Sequence, residues 1–131
     1  MLTLIVEDDF TSRLLLQTFL ARYGDCHVAV NGAEAVEAFR MAKDCGRSYN
    51  LICMDIMMPE MDGQTAVKEI RALEEAEGTL SSSGVKIVMI TALDDVKNVV
   101  ESFKVLCDAY LFKPIDTVKL LGQLKSLRLV S

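Results

Sequence analysis

Four short polar fragments of this sequence each follow a short apolar run, and together they carry the side chains that phosphoryl chemistry requires. The fragments are Glu7-Asp8, Asp55, Thr91-Ala92 and Lys113-Pro114. If the apolar runs are parallel strands, three carboxylates, a hydroxyl and an ammonium converge at one edge of a single sheet. Such a group suits a divalent cation and a phosphoryl group, so the pattern predicts a switch that accepts a phosphoryl group.

Each of these side chains has a chemical role in that prediction. Asp55 would be the nucleophile toward phosphorus and would form an acyl phosphate. Glu7 and Asp8 supply oxygen ligands for Mg²⁺, with Mn²⁺ as the alternative ion, and a cation relieves the repulsion among the three carboxylates. Lys113 would place a positive charge on one phosphoryl oxygen, and Thr91 would donate a hydrogen bond to another.

Apolar runs alternate with amphipathic stretches along the whole chain, and this alternation is typical of a parallel sheet covered by helices on both faces. Strands are predicted at Leu2–Val6, Cys26–Val30, Leu51–Met54, Val85–Ile90 and Ala109–Phe112. Helices are predicted over Thr11–Tyr23, from Asn31, over Gly63–Glu77, over Asp94–Leu106 and after Asp116. In such a sheet the parallel strands are joined by right-handed crossovers and the carboxyl ends of all five share one edge, where ligands bind in such folds.

Local signals refine three of these elements. Asn31 is predicted to cap the second helix, and Glu34, three residues later, to complete a capping box. Pro114 directly after Lys113 indicates a rigid turn; the sequence leaves the isomer of this peptide bond open. The last helix is predicted to pack through an apolar stripe, which consists of Val118, Leu121, Leu124 and Leu127.

Length and composition restrict the class of protein. A chain of 131 residues predicts a single domain, residues 1–131, with a core of its own. A net charge of -5 argues against a nucleic-acid interface. No apolar run approaches membrane-spanning length, so a cytoplasmic location with protein partners is expected. Four cysteines without paired C-x-x-C spacing argue against a zinc site or a disulfide framework: Cys26, Cys45, Cys53 and Cys107.

A known family combines these fragments in this order and near this spacing. The matching segments are Val6-Glu7-Asp8, Met54-Asp55, Met58-Pro59-Glu60-Met61-Asp62-Gly63, Thr91-Ala92, Tyr110 and Lys113-Pro114. Together they resemble the receiver domain of a response regulator, in the CheY-like family, over essentially the whole chain. The resemblance implies an α/β, flavodoxin-like, doubly wound (βα)5 fold with a five-stranded parallel sheet in the order 2-1-3-4-5.

The resemblance also implies roles for individual residues and for partners. Asp55 would be phosphorylated by a histidine kinase or by a histidine phosphotransfer protein. Mg²⁺ would be held by Glu7 or Asp8, by Asp55 and by the backbone carbonyl of Met57. Thr91 and Tyr110 would form a coupled switch that reports to a partner-binding face, built from the fourth helix, the fifth strand and the fifth helix.

Two positions depart from the common family pattern. Glu7 occupies a position where aspartate is also common, and its longer side chain could coordinate a cation through water. Met57 and Leu93 lie two residues past Asp55 and Thr91, where the family's hydrolytic water passes. Apolar side chains at both positions predict a phosphorylated state that is long-lived for the family.

Other functions fit the sequence less well. A phosphatase with an aspartyl-phosphate intermediate usually carries a second acid where this chain has Met57. A flavin domain of similar topology would need Ser, Thr and Gly after the first strand, whereas the acidic run after Val6 would repel a phosphate. A degenerate scaffold is disfavoured because the site is complete. The chain is thus expected to be a signalling module rather than a metabolic enzyme.

The organisation of the native protein has two interpretations. Because the sequence starts in the first strand and stops just after the last helix, a stand-alone regulator that acts by protein contact is favoured. The alternative is a receiver excised from a larger regulator or from a hybrid histidine kinase. The sequence leaves open whether the chain is a monomer or a phosphorylation-dependent dimer.

Overall fold

The computed structural model of the chain describes residues 1–58, 61–80, 83–92 and 107–131. Its strands are β1 (Thr3–Val6), β2 (Cys26–Ala29), β3 (Leu51–Asp55), β4 (Lys86–Ala92) and β5 (Ala109–Lys113). Its helices are α1 (Phe10–Leu20), α2 (Gly32–Asp44), α3 (Gly63–Ala76) and a C-terminal helix (Thr117–Ser126), and a 3-10 turn (Ala21–Tyr23) follows α1. The helix predicted over Asp94–Leu106, and Leu93 before it, lie outside the described residues.

All five strands form one parallel sheet in the order β2-β1-β3-β4-β5, which confirms the predicted flavodoxin-like topology. In this register Val6 lies beside Met54, and Met54 lies beside Met89. Asp55 is level with Ile90. Since the strands run in the same direction, their carboxyl ends meet at one edge of the sheet, as the alternating pattern predicts.

Alternating strand residues form two cores, one on each face of the sheet. On one face Leu4, Ile52 and Met54 pack against α2 and α3. On the other face Ile5 and Cys53 pack against α1 and the C-terminal helix. The three central strands are buried on both faces, which explains why they read as almost continuous apolar runs. Burying each large aliphatic side chain stabilises the fold by about 1.5–3 kcal/mol.

Side-chain caps decide where the helices begin. Asp9, Asn31, Asp62 and Asp116 each accept a hydrogen bond from a backbone N–H in the first turn of the following helix. At α2 the Asn31 cap is confirmed, since its side chain accepts from the N–H of Glu34 at 2.8 Å. The second half of the predicted capping box is displaced, because Glu34 accepts from the N–H of Val30 instead of Asn31.

Three strands extend further than predicted. β3, β4 and β5 include Asp55, Thr91 and Lys113, because the parallel hydrogen-bond ladder continues to the polar side chains that were expected to follow each strand. A ladder uses backbone groups, so a polar side chain does not end it. The site residues are therefore held by the sheet itself.

The apolar stripe of the C-terminal helix was only partly correct. Leu124 is fully buried as predicted, whereas Val118 is 77% exposed and Leu120 is fully buried in its place. Leu120 and Leu124 lie four residues apart and so share one helix face. Leu121 and Leu127 are partly buried beside them.

At the opposite edge of the sheet a buried ion network joins α3 to the starts of β4 and β5. Arg71 contacts Glu74 at 2.6 Å and Asp108 at 3.0 Å, and it donates to the carbonyl oxygen of Val85. Glu74 and Asp108 in turn accept backbone N–H groups of β4 and the residue before it. Because each buried charge has a partner, the network can fix this edge without leaving an unpaired charge.

No helix in the described ranges is long and apolar enough to cross a membrane.

Candidate functional site

Asp55 lies at the centre of the carboxyl edge and is almost fully buried. β3 positions it by pairing with Ile90 of β4, and the N–H of Ile56 continues the ladder by donating to the carbonyl oxygen of Ile90. Asp55 Oδ1 accepts a hydrogen bond from the backbone N–H of Met57 at 3.2 Å. The carboxylate thus has a fixed orientation at the end of a rigid strand.

Gly63 supports the loop that follows Asp55. Its N–H donates to the carbonyl oxygen of Ile56 at 2.9 Å. A Cβ atom added to Gly63 would lie 2.3 Å from the carbonyl oxygen of Asp55, so only glycine allows α3 to start this close to the strand end. The Gly63 position is therefore a packing requirement of the loop, and its neighbour Asp62 caps the helix.

Glu7, Asp55 and Lys113 form an ionic cluster. Lys113 Nζ lies 2.9 Å from Glu7 Oε1 and 3.3 Å from Asp55 Oδ2. Burial raises the pKa of Glu7, as does the neighbouring Asp55 carboxyl, while Lys113 acts in the opposite direction. Burial lowers the pKa of Lys113, but its contacts with Glu7 and Asp55 together outweigh that effect and leave the pKa raised. One ammonium thus compensates two buried acids.

The loop after β1 places the second acid in solvent. Asp8 is exposed, whereas Glu7 is fully buried. Glu7 Oε2 accepts a hydrogen bond from the N–H of Asp9 at 3.2 Å. Asp9 caps α1 through the N–H of Ser12, and this hydrogen bond is the main reason why the pKa of Asp9 is lowered. The acidic loop therefore continues directly into a capped helix.

Thr91 lies next to this cluster on β4 and is 1% exposed. Its Oγ1 is buried and has no hydrogen-bond partner among the described residues. A buried hydroxyl without a partner is costly, so its retention is typical of a site that acquires a partner when a ligand binds. Glu7 Oε1 is the other such atom in the described ranges, with the Lys113 ammonium close enough to compensate its charge.

A match to a protein-family model shows to which family this chain belongs. Residues 3–125 match the model described as the response regulator receiver domain. The chain belongs to the response regulator receiver domain family. This receiver is 34% identical over 125 residues to a probable transcriptional regulator, ycf27, of Cyanidium caldarium, a match that covers 95% of this chain and 45% of the relative. The chain spans about half the length of the first curated relatives it matches.

Solved structures give the same assignment. A chain of the co-crystal structure of the Saccharomyces cerevisiae phosphotransfer protein Ypd1 with the receiver domain of Ssk1 matches with a TM-score of 0.83 and 30% identity, covering 97% of this receiver and 88% of that chain. A chain of the CheX-CheY-BeF3-Mg complex of Borrelia burgdorferi matches with a TM-score of 0.78 and 26% identity, covering 99% of this receiver and 90% of that chain.

Receiver domains bind Mg²⁺ at an acidic pocket, and the residues of this receiver fit such an ion. Glu7, Asp8 and Asp55 each offer a carboxylate oxygen, and these atoms lie within 4.8 Å of one another. Hard oxygen donors around one point are the ligand set that Mg²⁺ takes. The Glu7 Oε1 atom, buried without a hydrogen bond of its own among the described residues, is one that a cation could satisfy.

The receiver brings most of the predicted site residues together. Glu7, Asp8, Asp55 and Lys113 cluster directly, and Thr91 is the penultimate residue of the neighbouring strand β4. The Lys113-Pro114 peptide bond is cis. Tyr110, on the same strand as Lys113, is half-buried; its ring meets that of Phe112 edge to face at 5.3 Å. The Met57 side chain is 65% exposed, and Leu93 lies outside the described residues.

Sequence reasoning did not find the contact made by Arg13. Its guanidinium nitrogen donates to the carbonyl oxygens of Glu7 at 3.2 Å and Asp8 at 3.4 Å. The signal in the sequence is weak, since a single basic residue in the first turn of a helix has many ordinary uses. Only the path of the chain, which turns from strand to helix at Asp9, brings this side chain back over the acidic pair.

Proposed function

We propose that Asp55 accepts a phosphoryl group from the phosphohistidine of a histidine kinase or a histidine phosphotransfer protein, in a reaction that depends on Mg²⁺. The observation that carries the proposal is the position of its carboxylate, which lies beside the Lys113 ammonium at a sheet edge where the Thr91 hydroxyl has no hydrogen-bond partner among the described residues. These are the nucleophile, the charge and the donor that a phosphoryl group needs. The chemistry makes the protein a signalling switch and not a metabolic enzyme.

In the proposed reaction an oxygen of Asp55 attacks phosphorus. An O–P bond forms while the P–N bond to the donor imidazole breaks, and the imidazole leaves with the bonding electron pair. Lys113 then contacts a phosphoryl oxygen in place of the Asp55 carboxylate, whose charge has moved to the phosphoryl group. The Thr91 hydroxyl donates a hydrogen bond to a second phosphoryl oxygen. Positioning and charge compensation provide most of the acceleration in such transfers.

Mg²⁺ would be held by Asp8 and Asp55, by the backbone carbonyl of Met57, and by Glu7 directly or through water; Mn²⁺ could replace it. When bound, the ion neutralises charge on the carboxylates and the transferring phosphoryl group. The position of Glu7 supports the proposal, because its raised pKa reflects a buried acid whose charge Lys113 only partly compensates. The Asp8 carboxylate, which is exposed, is accessible to an incoming ion.

Phosphorylation would act on two switch residues. A hydrogen bond from Thr91 to the phosphoryl group would draw the end of β4 toward Asp55 and change the space available to Tyr110. Tyr110 packs beside the core and is half-buried, so a small shift at Thr91 can alter its preferred position. The result is a population shift on a partner-binding face that includes β5 and the C-terminal helix.

The organisation of the native protein is part of the proposal. Residues 1–131 form a single receiver domain, acting by protein contact either alone or as one part of a longer regulator or hybrid kinase. A monomer or a phosphorylation-dependent dimer is compatible with this mechanism. Size-exclusion chromatography with light scattering, with and without phosphodonor, would decide between the two.

Intact-mass analysis after incubation with acetyl phosphate and Mg²⁺ tests the phosphorylation site. One added phosphoryl group is expected in the parent, and none in Asp55→Asn or in the presence of a chelator. Asp25→Asn is the matched control, because Asp25 is an exposed acid that lies before β2 at the opposite edge of the sheet. A phosphorylated Asp55→Asn protein, or a parent that accepts nothing from acetyl phosphate or from a cognate kinase, would refute the proposal.

The lifetime of the acyl phosphate is a second consequence. Met57 and Leu93 are apolar at the two positions beside the hydrolytic path, so they offer an attacking water no hydrogen bond. We expect slow self-dephosphorylation for the family, and a faster loss in Met57→Asn, whose amide can hold a water. The time course of the added mass measures both rates. A parent rate at the fast end of the family range would contradict this expectation.

A further inference from the structure

Arg13 joins the first turn of α1 to the backbone of the acidic loop. One guanidinium nitrogen donates to the carbonyl oxygens of both Glu7 and Asp8. Its Cζ atom lies 5.6 Å from the centroid of the Phe10 ring, so the side chain is held from a second side. The carbonyl groups of the two acids therefore point toward α1, while their carboxylates approach Asp55.

This contact matters most for Asp8. Glu7 is fixed by burial, by Lys113 and by the N–H of Asp9. The Asp8 side chain, in contrast, is exposed. The orientation of an exposed carboxylate depends on the backbone that carries it, and the Arg13 hydrogen bond acts on that backbone. Arg13 can thereby control where the Asp8 oxygens lie relative to the other two acids.

The positive charge of Arg13 acts against cation binding, whereas its hydrogen bonds to the loop would favour it. A guanidinium near an acidic pocket repels a divalent ion, so charge alone would weaken cation binding. If the charge dominates, removing Arg13 strengthens binding. If the hydrogen bonds to the loop dominate, removing Arg13 weakens binding. The two effects differ in sign, so the direction of the change in cation affinity shows which one dominates.

We propose that Arg13 is a positioning residue for the divalent-cation site, acting through its hydrogen bonds to the carbonyl groups of Glu7 and Asp8. This inference rests on the proposed function, because it assumes that the acidic cluster binds Mg²⁺. Arg13 touches neither the ion nor the phosphoryl group. Its effect is to reduce the number of orientations that Asp8 samples before the ion binds, which raises the affinity for the ion.

The test is an NMR titration of the unphosphorylated protein with MgCl₂, without a phosphodonor. The backbone amide of Asp9 reports the dissociation constant, since it donates to Glu7 Oε2. Arg13→Ala is expected to bind Mg²⁺ about three- to tenfold more weakly than the parent. Groups bonded directly to ligand side chains typically cost about 10–100-fold when removed. A smaller loss is expected here, because Arg13 acts through the main chain and its repulsive charge is removed as well.

Arg22→Ala is the matched control. Arg22 also stacks on an aromatic ring, that of Phe19 at 5.2 Å, but it lies in the 3-10 turn at the other end of α1. Its removal is expected to leave Mg²⁺ affinity unchanged. Thermal unfolding in chelator shows whether each variant is folded. If Arg13→Ala is unfolded, Arg13→Met decides the question by the same criterion, since it keeps most of the side-chain stem and removes the nitrogen that donates to both carbonyl groups.

The outcomes separate the inference from the proposed function. Weaker Mg²⁺ binding by a folded Arg13 variant supports the positioning role. Equal or tighter binding by Arg13→Ala overturns it, and leaves Asp55 phosphorylation and the metal site standing. A parent protein that binds no Mg²⁺ refutes the proposed metal dependence, and the inference with it.

Discussion

Replacing Lys113 with methionine would leave two buried carboxylates without their shared counter-ion. Glu7 is fully buried and Asp55 nearly so, and the ammonium lies 2.9 Å and 3.3 Å from them. Removing one partner of a buried ion pair costs about 3–5 kcal/mol. The Lys113 side chain is 31% exposed, so water already screens part of its interaction. We therefore expect Lys113→Met to lower the free energy of unfolding by about 2–3 kcal/mol at pH 8 in chelator.

The cost should depend on pH with a definite sign. Burial and the Asp55 carboxyl raise the pKa of Glu7 above its ordinary value of 4.5. Between that value and the folded-state pKa, the folded protein binds more protons than the unfolded chain, so stability falls as pH rises. Replacing Lys113 removes the strongest of the influences that lower the pKa of Glu7, and leaves the weaker one of the Asp9 N–H in place. The difference between the variant and the parent should thus be small near pH 4.5 and should widen toward pH 8.

The charge of Lys113 does not itself change over this range. Burial lowers its pKa, but its contacts with Glu7 and Asp55 raise it further, and the result lies above the ordinary value of 10.5. Stability gained from a raised lysine pKa is fully present below the unfolded value, and it is lost only as pH rises through the folded value. The difference in stability between variant and parent from pH 5 to 8 therefore reports the titration of Glu7, whose pKa is raised, and not that of Lys113.

Urea unfolding of the parent and of Lys113→Met, at several pH values between 5 and 8 in chelator, measures this difference. Lys125→Met is the control, because Lys125 is exposed on the C-terminal helix and its replacement should change stability by less than about 0.5 kcal/mol. Mg²⁺ should stabilise Lys113→Met more than the parent, since a cation replaces the missing charge. A variant as stable as the parent at pH 8, or a loss independent of pH, would refute the reasoning.

Two further predictions concern the residues around Asp55. Thr91→Val removes a buried hydroxyl that has no partner among the described residues, so it should stabilise the unphosphorylated protein by about 1 kcal/mol in urea unfolding, and slow phosphorylation by acetyl phosphate in the intact-mass assay. A stability loss would show that this hydroxyl has a partner. Gly63→Ala should destabilise the fold by about 1–3 kcal/mol, because its Cβ meets the Asp55 carbonyl. Gly122→Ala, whose Cβ meets no described atom within 4 Å, should stabilise the C-terminal helix by about 0.5–1 kcal/mol; equal effects of the two changes would contradict the close approach at Gly63.

Much of the fold could be predicted from the chain because the apolar pattern is strong. Runs such as Leu51–Met54 are too apolar and too short to be anything but buried strands between helical stretches, and the sheet order follows from the resemblance. The ends of the strands were less predictable. Asp55 and Lys113 belong to their strands because neighbouring backbones continue the ladder, and that depends on the register of other strands.

The buried face of a helix, like the end of a strand, depends on neighbouring elements and is hard to predict from the sequence. Val118 and Leu120 are both apolar and two residues apart, so the sequence offers two overlapping stripes. The packing of the C-terminal helix against the sheet selects Leu120 and leaves Val118 exposed. The Glu34 side chain likewise bonds to Val30 and not to its cap residue, because several N–H groups at a helix start compete for one carboxylate.

The sequence by itself determined which chemical groups the site contains. Acids, a hydroxyl and a lysine at the ends of apolar runs must converge once those runs are parallel strands, because the carboxyl ends of parallel strands share one edge of the sheet. Only the tertiary structure decided how those groups share their charges. Glu7 is buried against Lys113, while its neighbour Asp8 reaches solvent. Arg13 turns back from α1 and donates hydrogen bonds to the carbonyl oxygens of both acids. Burial, and the distances between charges from different strands, are properties of the packed chain, and no local pattern encodes them.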